Sequence, residues 1–124
     1  MEFPVGTEFL LDKEKSSFRI VFGDSPRVKV LDFLLTFREF DYSLTEIAEN
    51  ANIGLATLNR LLPRLIKLGI VKETRKIGGT KLYKLNQENE LVKTLIEMDN
   101  NISEIFINEE LETQNILKKK VSLK

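Results

Sequence analysis

Cysteine, histidine and tryptophan are all missing from this 124-residue sequence. Without Cys or His there are no thiol nucleophiles, disulfide frameworks, zinc fingers or imidazole acid-base groups. Carboxylate or lysine chemistry would remain, but no residue pattern points to it, so no enzyme, no cofactor and no metal are expected. Prolines number three and glycines six, so each one serves as punctuation. Runs near the roughly 18 apolar residues of a membrane span are also absent, as is the basic-then-apolar order of a signal peptide. A cytoplasmic, globular, single-domain protein is the expectation.

A net charge of one sign is missing too, since 19 Lys and Arg balance 19 Asp and Glu. The balance conceals segregation along the chain. Residues 54–85 carry Arg60, Arg64, Lys67, Lys72, Arg75, Lys76, Lys81 and Lys84 against Glu73 alone, whereas residues 86–112 carry eight acids against Lys93 alone. A basic block beside an acidic one implies one surface that faces a polyanion and another that repels it.

The elements follow from periodicity and punctuation. Phe18, Ile20 and Phe22 alternate with Arg19 and Val21, which predicts a strand, with Glu8 to Leu11 as its hairpin partner in an N-terminal arm over residues 1–23. Ser25 and Pro26 suit an N-cap and first helical position, and Val28, Leu31, Leu34 and Leu35 continue a helix to about Phe40. Ser43-Leu44-Thr45-Glu46 has the form of a capping box, opening a two-turn helix that buries Ile47, Ala48 and Ala51. Asn50 to Gly54 supplies a tight turn. From Leu55 onward, Leu58, Leu61, Leu62, Leu65 and Leu68 share one side, and Ala56, Arg60, Pro63, Arg64 and Lys67 share the other. Pro63 is expected to kink or break this helix. Gly69 closes it, and two alternating strands follow about Gly78-Gly79, with Ile70 or Val71, Ile77, Leu82 and Leu85 inward and Arg75, Lys76 and Lys81 at the tip. Asn86 suits the cap of a last helix over residues 86–112, where Leu91, Leu95, Met98, Ile102 and Ile105 form a heptad stripe. Residues 113–124 read as a frayed basic tail.

Helix, helix, turn, helix, glycine and basic hairpin, in that order over residues 24–85, resemble the winged helix-turn-helix regulators of bacteria and archaea, most closely those of the MarR and ArsR kind. The likeness rests on Ser43-Leu44-Thr45-Glu46-Ile47-Ala48, Leu58-Asn59-Arg60-Leu61-Leu62, Leu68-Gly69-Ile70-Val71-Lys72 and Tyr83-Lys84-Leu85. It implies an α+β, mostly α fold: a winged helix-turn-helix domain flanked by an N-terminal strand or hairpin arm and a C-terminal amphipathic helix. The resemblance implies that Thr57, Asn59, Arg60 and Arg64 face bases or phosphates, with Lys67 further along the same helix. Ser43 and Thr45 would contact DNA at the preceding helix entry, and Arg75, Lys76, Gly78, Gly79 and Lys81 in the wing.

The expected function is sequence-specific binding of double-stranded DNA by a homodimer that regulates transcription. Arg60, Asn59 and Thr57 would choose the bases, since Arg suits guanine and Asn suits adenine. The stripe of Leu91, Leu95, Met98, Ile102 and Ile105 either packs on its own domain or pairs with a second copy, and pairing is the expectation. The alternative function is a winged-helix protein-interaction module in a larger transcription or segregation complex, which would need an apolar or mixed face on the second helix.

Overall fold

Small polar side chains set where the first helices begin. The computed structural model describes residues 15–122. Their order is α1 (Ser17–Phe22), α2 (Pro26–Thr36), α3 (Leu44–Ala51), α4 (Leu55–Lys67), β1 (Val71–Ile77), β2 (Thr80–Leu85) and α5 (Glu90–Ser122). Ser16 accepts a hydrogen bond from the Arg19 amide, and Ser25 accepts one from the Val28 amide with Pro26 at the start of α2. In α3, Ser43 and Glu46 exchange both bonds of the capping box.

The segment expected as a strand is the helix α1. Helical spacing brings Phe18 and Phe22 to the same side, with ring centroids 4.8 Å apart, and buries Phe18 among core residues. Gly23 ends the turn at φ 92°, a conformation that β-carbon crowding denies to most residues. The suggested partner, Glu8 to Leu11, lies outside the described residues.

Helix α2 stops at Thr36, earlier than the expected Phe40. The Arg38 guanidinium donates to the Leu35 carbonyl at 2.8 Å, so a side chain fulfils the bond that another helical turn would have made. Its deepest residues are Val30, Leu34 and Leu35, joined by Phe33, while Phe37 is exposed. Around them close Ile47, Ala48 and Ala51 of α3 and Leu58, Leu62 and Leu65 of α4. Leu61 is only partly buried and Leu68 is exposed, which narrows the apolar side of α4 to three core residues.

Asn52, at φ 56°, supplies the left-handed residue between α3 and α4. Helix α4 then runs as one element through Pro63. Pro63 removes one donor, but its ring lies on the exposed side, while Leu62 and Leu65 stay anchored in the core on the other. The expected break therefore does not occur.

The two strands form an antiparallel hairpin whose turn residues, Gly78 and Gly79, have φ 55° and 83°. Two positive φ angles are what a two-residue hairpin turn needs to match strand twist. Val71, Leu82 and Leu85 point inward with Ile70, but Ile77 is 55% exposed, contrary to expectation, because it pairs with Thr80 at the tip beyond the core. Tyr42 and Tyr83 exchange backbone bonds of 2.8 Å each, which fastens the hairpin to the segment before α3.

The last helix differs from expectation at both ends. Its cap is Asn89, whose side chain accepts from the Leu91 and Val92 amides at 2.8 and 3.3 Å, while Asn86 closes a local turn through the Glu88 amide. The helix continues for 33 residues to Ser122, so the boundary expected at 112/113 falls inside it. No Gly or Pro interrupts it, and Lys119 and Lys120 in the last turn complement the helix dipole.

Candidate nucleic-acid interface

The tight αL turn at Asn52 holds α4 against α2 and α3 with one side buried, so its polar side faces outward. Arg60, Arg64 and Lys67 stand at i, i+4 and i+7 and are all exposed. With Pro63 and Leu68 they line one open depression. None of the three makes an ion pair with another described residue, so their charge is available to an external anion. Asn59 is exposed and Thr57 half-buried, one on each flank of Arg60. The helix start at Gly54 has no side-chain cap, leaving first-turn amides directed outward beside this face.

A second groove joins α3 to the wing. Ser43 and Thr45 line it with Thr80, Lys81 and Tyr83, so residues nearly forty positions apart come together. Across the wing, Lys76 sits opposite Lys81 and Lys72 opposite Lys84. Like charges facing one another across strands are unfavourable unless an anion lies over them. Lys81 is drawn partly toward Glu73, at 3.6 Å. Gly78 and Gly79 shape the tip on which Lys76 and Lys81 are presented.

Arg75 has a different employment from the other wing cations. Its Nε donates to Asp41 Oδ2 at 2.9 Å and its Nη2 to Oδ1 at 3.1 Å, and the Thr74 hydroxyl donates to the same carboxylate at 2.6 Å. These hydrogen bonds hold the Asp41 carboxyl down at about 2 and raise the Arg75 guanidinium above its usual value. A bidentate fork of this kind fixes geometry as well as charge. Arg75 thus ties the wing to the segment before α3. Asp41 was not legible as a site residue, because the sequence shows only an acid just past the expected end of a helix, with no sign of a partner 34 positions away.

The heptad stripe of α5 divides. Val92 is fully buried, and Leu95 and Ile96 pack against the core cluster. Met98 and Ile102 are half-buried, whereas Leu91 and Ile105 are exposed. Ser17 of α1 and Ser103 of α5 have their hydroxyls 3.2 Å apart, marking the side on which α5 rests on its own domain.

Helix-turn-helix, cationic second helix and basic hairpin together define a winged-helix regulator of transcription, a DNA-binding class. Residues 24–124 match the ferric uptake regulator family, and the chain belongs to that family. The regulator class expected from the sequence is therefore right, and the family that matches is this one, which is not exactly the MarR or ArsR kind that the sequence resembles. Among solved structures the chain is similar to Lactococcus lactis ZitR in an apo form, a mutant, at 17% identity and TM-score 0.54, covering 98% of this chain and 96% of that one. It is also similar to the oxidized form of MarR from E. coli, at 19% identity and TM-score 0.52, with the same coverage. At such identities the likeness is one of fold. No curated protein sequence matches.

The family is named for ferric iron, which sets the expected absence of a metal against the family's own chemistry. The donor set decides whether the residues fit one. With no Cys or His in the sequence, neither thiolate nor imidazole is available, and among the described residues no three acidic side chains gather into a site. Zinc and iron sites are built largely from imidazole nitrogen and thiolate sulfur, with carboxylates completing the set. These residues do not fit such a site. Among the described residues, no helix is long and apolar enough to cross a membrane.

Proposed function

We propose that the protein recognises specific double-stranded DNA sites as a homodimer, with the first turns of α4 in the major groove. The observation that carries this reading is the face of α4 on which Arg60, Arg64 and Lys67 stand exposed, none of them in an ion pair with another described residue. Arg60, with Asn59 and Thr57 beside it, reads base edges, while Arg64, Lys67 and the wing lysines neutralise phosphates. Ser43 and Thr45, sharing a groove with Lys81, suit the backbone next to the wing. Arg75 contributes to DNA binding mainly by holding the wing through Asp41. Two-fold symmetry makes the preferred site a pseudo-palindrome with half-sites about one helical turn, roughly 34 Å, apart.

Anisotropy titration of a labelled duplex pool tests this reading. The pair Arg60→Glu with Arg64→Glu removes binding, and the parent's affinity falls steeply with salt, by a log-log slope of about −0.9 per phosphate neutralised. Retained binding with an unchanged slope would sink the groove model.

A protein-docking role for α4 has one observation in its favour: Leu55, Ile66 and Leu68 are each more than 40% exposed. Leu68 lines the depression with the three cations, and Leu55 lies at the opposite end of the helix from Ile66. In that reading the double charge reversal leaves duplex binding untouched, so the same titration separates the two.

A further inference from the structure

We propose that two copies of α5 pair antiparallel, the basic end of each helix lying beside the acidic beginning of the other. This deepens the homodimer reading above and rests on it. The helix turns one side toward its own domain, through Val92 and Leu95, and leaves another uncovered. On that uncovered side Leu91, Ile105 and Ile116 are 46%, 57% and 56% exposed, with Met98 half-buried between them. Their spacings of 7, 7 and 11 continue a coiled-coil seam over most of the 33-residue helix.

Charge along the axis chooses the occupant and its direction. Eight acids lie between Glu88 and Glu112, and Lys118, Lys119 and Lys120 follow them. In a parallel pair every residue meets its own copy, so Glu112 would face Glu112 at the seam and the lysines would face lysines. Pairing about a midpoint between Ser103 and Glu104 removes those meetings. It brings Lys119 and Lys120 beside Glu88 and Glu90 of the second copy and sets Ile116 against Leu91. Flanking charges of this kind contribute little each but select orientation, as they do in coiled coils generally. A second copy of the chain is thus the partner whose charge pattern the surface fits.

The absence of cysteine allows one spin label to be placed at a time. Asn101→Cys and Lys119→Cys are exposed and 18 residues apart, five full turns, so they share one azimuth on the helix. Dipolar spectroscopy on each labelled protein, with its mass measured by light scattering, reads the arrangement. In the antiparallel pair the labels at 101 lie within about 20 Å of each other, and those at 119 lie more than about 45 Å apart, from a rise of about 1.5 Å per residue. Equal short distances at both positions with a dimeric mass overturn the orientation alone. A monomeric mass with no dipolar signal overturns the homodimer reading itself. Long distances at both positions with a dimeric mass remove α5 from the dimer contact.

Discussion

At Gly69 the backbone turns with φ 76°, and a β-carbon there would run into the Asn89 side chain, which also donates to the Leu68 carbonyl. One contact therefore joins the end of α4 to the cap of α5. Gly69→Ala is expected to lower stability by roughly 1–2 kcal/mol from the left-handed conformation alone, with the Asn89 collision added, as read by urea denaturation. Two carboxylates give opposite pH signatures. Asp41 has its folded value lowered from 3.8 to about 2, so what it adds to stability is complete above about pH 4 and is lost as pH falls toward 2. Hydrogen exchange of wing amides should show this loosening in the parent and its absence in Asp41→Asn. Asp99 on α5 is pushed up by burial first and by Asp32 second, against the pull of Arg38. For a raised acid the sign reverses: the fold favours the protonated form, and stability falls as pH rises through the raised value. Asp99→Asn should be more stable than the parent at neutral pH, with the difference vanishing in acid.

Among the elements, α3, α4 and the wing were readable because each carries its own signal. A capping box, a leucine face and a Gly-Gly turn are local features that do not depend on distant partners. Helix α1 was misread as a strand because Phe18, Ile20 and Phe22 satisfy alternation as well as one short turn of helix; the choice fell to Ser16, Gly23 and the core site that receives Phe18. The stripe of α5 was legible as apolar but not as divided. Leu95 faces its own core, so substituting it would report folding as much as assembly. Ile105→Glu is the informative change: a lower mass by light scattering with an unchanged melting temperature is expected. Leu58→Ala, at a fully buried position on α4, is expected to cost about 2–5 kcal/mol and so marks the effect of core damage for comparison.

For the whole molecule the family and the sequence pull in different directions over metal. The chain belongs to a family named for ferric iron, yet neither thiol nor imidazole is present to bind it. Duplex affinity measured with a chelator, with zinc and with ferrous iron should agree within experimental error. A change of tenfold or more on adding either metal would show a donor set outside the described residues or one formed on pairing.

By itself, the sequence determined the order of helix, turn, helix and hairpin, the cationic side of α4 and the absence of thiol and imidazole chemistry, because composition and local periodicity are properties of the chain. Tertiary structure decided the rest. It assigned Arg75 to Asp41, set Ser43 and Thr45 beside Lys81, moved the cap of α5 to Asn89 and split the α5 stripe between core and surface. Each of these joins residues whose partners lie on other elements, and only packing in three dimensions selects among partners that the sequence leaves equivalent.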